Sequence, residues 1–306
     1  MLLSFIIIIG LVALEVVNSI DNAIINAHML QTMSQKAKRW FLTWGMLFAV
    51  FLVRGLLPLL IVWITAPGLS FLQAVKATFS SDPVANLAMA NSAYILLLGG
   101  GMFLLLLYFH WLFLEKKDPY FVPDKLIKAH HGVWFFAVAA ILLVTILWLS
   151  KDRPLAMIAA AVGNAIFFIL YGFRKTAEES EHVLESAHIS DLSKLLFLEI
   201  LDMSFSIDGI LGAFAFTTNV ALILIGNGLG ALVVREFTIR GTNYVAKYRW
   251  IKNGAMSSIG CLGLFMLLEA FGLDIPKWLP TVITLGLIGL TFWESHRHLQ
   301  QTNANS

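Results

Sequence analysis

Leu198-Glu199-Ile200-Leu201-Asp202-Met203-Ser204-Phe205-Ser206-Ile207-Asp208-Gly209 sets three carboxylates inside a segment otherwise apolar enough to cross a membrane. A carboxylate near the middle of a bilayer-spanning helix is disfavoured by about 2.5–3.5 kcal/mol, so such groups face a polar interior and usually mark function. Near the N-terminus, Leu14-Glu15-Val16-Val17-Asn18-Ser19-Ile20-Asp21-Asn22 repeats the device. Glu15 precedes Asp21 by the same interval that separates Asp202 from Asp208, and Ser-Ile-Asp recurs at both places.

The rest of the chain agrees with a membrane setting. Of 306 residues, 58% are hydrophobic and only 13% charged, and the mean hydropathy is +0.80. Runs such as Ile95 to Leu114 and Val133 to Leu149 approach the roughly 20 residues that cross about 30 Å of hydrocarbon as helix. The short alternating segments of a membrane barrel are missing, so helix is the expected spanning form. Nine spans are predicted, at about 3–26, 41–64, 92–114, 133–149, 155–173, 195–216, 219–235, 254–272 and 279–293. The first has no basic residue ahead of its apolar run and is interrupted by Glu15, unlike a secretory signal, and is expected to stay in the mature protein. Cys261 is the single cysteine, expected as a small buried hydrophobe with no disulfide.

Charge distribution sets the orientation. With the N-terminus outside, fifteen Lys and Arg, from Lys36 to Arg297, fall in cytoplasmic connections, against Lys76, Lys151, Arg153 and Lys277 outside. The positive-inside rule therefore favours an outside N-terminus and a cytoplasmic C-terminus. Span one then runs inward and span six outward, so the two acidic motifs are antiparallel, the signature of an inverted-topology repeat with a midplane site. The expected architecture is an all-α, polytopic membrane protein of about nine transmembrane helices in one domain, 1–306. Its repeat halves lie at about 1–114 and 195–293, joined by 115–194. Gly68 to Phe79 reads equally as an interfacial helix or a loop. Arg174–Lys194, with Glu178, Glu179, Glu181 and Glu185, reads as a solvated helix between spans.

On an unbroken helix, Glu199, Asp202 and Ser206 share a face while Asp208 points about 240° away from Asp202. The same conflict separates Glu15 and Asn22 from Asp21. Local unwinding at each Ser-Ile-Asp, with Ser19 or Ser206 capping a second half-helix, would bring each set to one site. At roughly 3 kcal/mol each, exposing five carboxylates to lipid would cost about 15 kcal/mol, as much as the net stability of a typical protein. The neighbouring oxygen donors Asn18, Ser19, Asn22, Ser204 and Ser206, with no thiolate or imidazole in either motif, favour a hard divalent cation over Zn²⁺ or Cu⁺. Crowded carboxylates that repel one another also share protons readily, so proton coupling is expected. Arg54 and Arg235 are expected to neutralise cavity carboxylates, and Glu269, alone in span eight, to be a paired structural group. Asn227, between Gly226 and Gly228, is expected to serve helix packing.

The two motifs resemble those of the TerC family of integral membrane proteins, with a first-helix Glu-x-x-x-Ser-x-Asp-Asn and a later Asp-x-x-x-Ser-x-Asp. The resemblance extends to the branch catalogued as domain of unknown function 475 through Phe51-Leu-Val-Arg54-Gly-Leu-Leu-Pro58 and Gly228 to Arg235, and covers about residues 10 to 295. It implies a polytopic protein associated with divalent metal transport, notably manganese export, and with tellurium resistance. Carried over by position, it places metal contacts at Glu15, Asp21, Asn22, Asp202 and Asp208; Glu199 joins them from its helical face. The chain departs at Ile251-Lys252-Asn253-Gly254-Ala255-Met256-Ser257, where that branch is expected to carry an acidic residue and two histidines.

The function expected from the sequence is Mn²⁺ efflux across a bacterial inner (plasma) membrane, with the cation as substrate, no bound cofactor and no enzymatic reaction. A membrane partner that delivers metal to other proteins is the alternative. An intramembrane aspartyl enzyme is disfavoured because Gly-x-Gly-Asp is missing, and no Gly-x-x-x-x-Gly-Lys-Ser loop is present to bind ATP. The expected partners are the lipid bilayer and the cation, with no nucleic acid.

Overall fold

The computed structural model describes residues 2–45, 48, 54–65, 68, 70–79, 83–127, 132–186, 190–240 and 248–304. Its regular elements are helices: α1 (Leu2–Asn18), α2 (Ile20–Gln31), α3 (Gln35–Trp40, running into a π turn at Phe41–Gly45), α4 (Arg54–Thr65) and α5 (Phe71–Phe79). There follow α6 (Pro83–Leu114), α7 (Val122–Leu126), α8 (Gly132–Leu149), α9 (Pro154–Ser186), α10 (Asp191–Ala213), α11 (Val220–Arg240), α12 (Ile251–Ala270) and α13 (Leu279–Ala304).

Among the described residues four helices are long and apolar enough to cross a membrane, within Ala93–Leu114, Gly132–Leu149, Pro154–Thr176 and Ile251–Ala270. A fifth span arises if α1 and α2, bent by 48°, cross together. This is an all-helical multi-pass membrane protein. The count of nine is not reached on these criteria. In α10 the reason is plain: Glu199, Asp202 and Asp208 interrupt its apolar sequence. Part of the expected second span, 41–64, lies outside the described residues.

The bundle has an inner and an outer layer. Helix α6 is the centre, with 72% of its span buried, whereas α8 is 17% buried and turns Val133, Trp134, Ile141, Val144 and Trp148 outward. Those outward apolar side chains fit a lipid-facing helix rather than a water-facing one. Helix α6 packs against α9 on one side and α12 on the other. The Gly99-Gly100-Gly101 run permits both approaches, because a Cβ on Gly99 would lie 3.0 Å from the Ala159 carbonyl oxygen and one on Gly101 3.0 Å from that of Gly263. Small residues that let backbones meet replace the hydrophobic effect as the adhesive between helices in lipid. Helix α1 lies along α11 and also touches α13 and α10.

Two connections differ from expectation or settle it. Residues 71–79 are helical, started by a reciprocal cap in which the Gln73 N–H donates to Ser70 Oγ at 3.3 Å and the Ser70 N–H to Gln73 Oε1 at 2.8 Å, an arrangement that satisfies two free N–H groups at once. The hydrophilic stretch after span five is not a separate helix: α9 runs unbroken through Arg174 to Ser186.

Candidate functional site

Glu15 is 2% exposed in a slot between α10 and α11. A Cβ on Gly230 would lie 2.6 Å from Glu15 Cβ, and one on Gly209 2.8 Å from its carboxylate. Only glycine admits the acid there. Ser19 Oγ donates to Glu15 Oε1 at 2.8 Å, and the bend between α1 and α2 falls at this serine. The expected cap is not made: Ser19 makes no side-chain cap bond. Its hydroxyl is engaged by Glu15, and the backbone ladder crosses the bend, with the Ser19 N–H on the Glu15 carbonyl at 3.1 Å and the Ala23 N–H on the Ser19 carbonyl at 2.8 Å. Ser19, at φ −90° and ψ 2°, separates α1 from α2, and these bonds carry the chain through the bend without an open loop.

The second motif does not break at all. Helix α10 is continuous through Ser206-Ile207-Asp208. Ser206 Oγ donates back to the Asp202 carbonyl and Ser204 Oγ to the Leu201 carbonyl, each at 2.8 Å. Hydroxyls satisfied on their own helix open no gap. An intact helix must then aim Asp202 and Asp208 at different neighbours, and it does.

Asp202 faces α2. Asn22 Nδ2 donates to Asp202 Oδ1, joining the first motif to the second. Farther along, Lys194 Nζ donates to Thr32 Oγ1 at 2.9 Å and to the Thr32 carbonyl at 3.2 Å, and the Ser34 N–H to Asp191 Oδ1 at 3.3 Å. Residue numbers rise along α2 as they fall along α10, so the two helices are antiparallel. Glu199, one turn before Asp202, has its carboxylate against Gly45 in the π turn that follows α3. Asn26 is buried, and its Oδ1, the Asn22 Oδ1 and both Glu199 carboxylate oxygens are buried with no hydrogen-bond partner among the described residues. Buried oxygens are ordinarily satisfied, so a group of them without donors needs a cation, a proton or water. Asn26 was missed in the sequence, although Asn18, Asn22 and Asn26 recur every four residues in an apolar segment, which is one helical face. The Asp21 side chain lies outside the described residues.

Asp208 faces α9. Arg174 Nη2 lies 2.8 Å from Asp208 Oδ1 and 2.6 Å from the Ser204 carbonyl oxygen, donating to both. Its guanidinium stacks on Phe205 with 4.6 Å to the ring centre. Both side chains of the pair are largely buried, 16% and 9% exposed. Arg235 Nε donates to the Leu42 carbonyl at 2.9 Å, and the Arg54 side chain lies outside the described residues. The sequence reading placed Arg174 at the start of a separate solvated helix after span five; it lies instead within the unbroken α9.

A cavity of about 760 Å³ reaches this pair, bounded by the α1–α2 bend, α6, α9, α10 and α12. Asn18, Arg174 and Asp208 lie on its polar wall, and Glu115, Lys116, Lys175 and Lys252 line it where the connecting segments begin. Glu115 pairs with Lys252 at 2.8 Å and lies 3.7 Å from His110 Nδ1. At the departing segment 251–257, Asn253 Nδ2 donates to Asp124 Oδ2 at 2.6 Å and to the Asp118 carbonyl at 2.8 Å. This segment therefore ties the α6–α8 connection to α12. Glu269 accepts from Lys277, as its structural reading required. Asn227 is buried with both amide atoms unpartnered among the described residues.

Among the described residues no three His, Cys, Asp or Glu side chains gather closely enough to hold a metal ion by themselves. A cation here would need the amide oxygens of Asn22 and Asn26 beside Glu199 and Asp202, a donor set of hard oxygens alone.

Comparison with known proteins agrees with the membrane setting. An uncharacterized membrane protein, YceF, of Bacillus subtilis (strain 168) is 31% identical over 97 residues, 32% of this chain and 38% of the relative. The chain thus spans well under half the length of that curated relative. No solved structure matches significantly. The model of the family described as protein of unknown function (DUF475) matches residues 20–302, and the chain belongs to that family.

Proposed function

We propose that this protein moves a hard divalent cation, Mn²⁺ foremost, out across a bacterial plasma membrane by alternating access. The observation that carries the reading is the Asn22–Asp202 contact between the two acidic motifs, beside the unpartnered oxygens of Asn22, Asn26 and Glu199. Oxygens without donors, next to carboxylates and away from thiolate or imidazole, suit Mn²⁺, Mg²⁺ or Ca²⁺. The antiparallel course of α2 and α10 supports two halves of inverted topology around that locus. An inside-negative potential opposes export by about 2.3 kcal/mol per charge per 100 mV. Proton exchange through the acidic locus would supply that work.

Equilibrium binding tests the first requirement. The purified full-length chain is titrated with MnCl₂ beside Glu199→Gln and Asp202→Asn. Saturable binding in the wild type, weakened about tenfold or more in each variant, is the expected result. Wild-type binding untouched by both substitutions would place the cation elsewhere.

A further inference from the structure

We propose that the cavity of about 760 Å³ is a site for an anionic phospholipid, with the phosphate held at its cationic end and an acyl chain in its apolar depth. Ligand cavities commonly run from about 300 to 1,000 Å³. The two ends of this one differ in chemistry. Glu115 and Lys252 are paired at 2.8 Å, Glu115 lies 3.7 Å from His110 Nδ1, and the His110 and Tyr171 rings are 4.7 Å apart. These contacts put the end of α6, the start of α12 and the Tyr171 turn of α9 at one level. Lys116, Arg174, Lys175 and Lys252 line the cavity there. Farther in, the Phe103 and Phe167 rings meet at 6.0 Å and, with Ile259, bound apolar space. Phe103 precedes Leu114 by eleven residues of α6, roughly 16 Å along a helix. A ligand that fills this space is charged at one end and apolar along its length.

The lining fixes the sign of that charge. Four cations stand against the two carboxylates Glu115 and Asp208, which leaves a net positive wall. Lys116 and Lys175 are exposed and make no ion pair with the described residues. Arg174 spends Nη2 on Asp208 and the Ser204 carbonyl, while its buried Nε and the Nδ2 of Asn18 have no acceptor among the described residues. Asp208 therefore anchors the guanidinium without using all of its donors. The contrast with the cation locus is chemical: Asn22, Asn26 and Glu199 leave oxygens without donors, whereas this cavity leaves donors without acceptors. A phosphate, anionic and rich in lone pairs, suits an arginine flanked by lysines, and basic pockets between membrane helices take lipid headgroups on this principle. The surrounding bilayer supplies such a molecule. Inorganic phosphate could meet the cations but has nothing to place against Phe103, Phe167 and Ile259.

The test is native mass spectrometry of the full-length chain in a neutral detergent, with phosphatidylglycerol, phosphatidylcholine and inorganic phosphate added in turn. Phosphatidylglycerol is retained about tenfold or more in preference to phosphatidylcholine, and inorganic phosphate does not displace it. The preference falls about tenfold in Lys116→Gln/Lys175→Gln and in Arg174→Gln/Asp208→Asn, the second of which removes the guanidinium without leaving a buried carboxylate bare. Lys36→Gln/Lys125→Gln, which neutralises two exposed lysines outside the cavity, keeps the preference. Because Lys116 and Lys175 are exposed, their variant remains decisive if the buried pair fails to fold. Equal retention of the two lipids, or a preference that Lys116→Gln/Lys175→Gln preserves, overturns the proposal. Displacement by inorganic phosphate overturns the lipid assignment, and an equal loss in Lys36→Gln/Lys125→Gln reduces it to general surface charge. The transport reading stands under each outcome, since its cation locus is at Asp202 and not at Asp208.

Discussion

Asn22 and Asp202, 180 residues apart in the chain, share a buried hydrogen bond that joins the two halves of the acidic repeat. Each is a side chain the membrane environment would exclude if it stood alone. Their union is what makes both tolerable. A double-mutant cycle of Asn22→Ala and Asp202→Asn, followed by reversible unfolding in mixed micelles, is expected to give a coupling of about 0.5–3 kcal/mol. Strictly additive effects would mean that the contact contributes nothing.

The slot that admits Glu15 depends on glycine. Gly230→Ala would drive a methyl to 2.6 Å from Glu15 Cβ, and overpacking of this kind costs about 1–3 kcal/mol. Gly228 has open space around its Cβ position, so Gly228→Ala is expected to be neutral or to stabilise by about 0.4–1 kcal/mol. Comparing the melting temperatures of the two variants checks the assignment, and equal effects would refute it.

Asn253 holds the buried Asp124 carboxylate and the Asp118 carbonyl. Asn253→Ala leaves both without that donor and is expected to cost about 1–3 kcal/mol. The loss should appear in thermal unfolding, with Mn²⁺ affinity preserved, because the segment ties the fold rather than the ion.

Outside the bilayer, the hydrogen bond from Arg249, at 2.6 Å, holds the Asp118 carboxyl below its usual range. A depressed folded pKa contributes stability that is present above the unfolded value, about 3.9, and is lost as pH falls through the folded one. The melting difference between wild type and Arg249→Gln is therefore expected at pH 6 and should fade on acidification below pH 4. Both side chains are 47% exposed, so the difference is small and shrinks with salt.

Much of this was legible before any coordinates. Apolar length located most of the helices, since burial in lipid demands it, and the duplicated carboxylates singled out the two stretches that the Asn22–Asp202 contact joins. What the sequence could not show was how the hydroxyls are used. Ser206 bonding back to the Asp202 carbonyl and Ser19 bonding to Glu15 look the same in sequence as serines that cap a broken helix. The consequence of that difference is large: α10 stays unbroken, and Asp208 turns to α9 instead of joining Asp202. Arg174 was misplaced for a related reason. Its hydrophilic surroundings read as a connection, yet helix continues through them to Ser186, and Arg174 in the body of that helix reaches the cavity. Asn26 escaped notice because an amide alone is weak evidence; its burial and unpartnered oxygen emerge only in the folded chain.

The most direct measurement is manganese movement into inside-out vesicles carrying the full-length chain, beside Glu199→Gln and Asp202→Asn, with a transmembrane pH gradient imposed and then collapsed. Uptake that follows the gradient in the wild type and is lost in both variants is the predicted result. Manganese that binds the protein but does not cross, with or without the gradient, would contradict transport and leave metal delivery to a partner as the role.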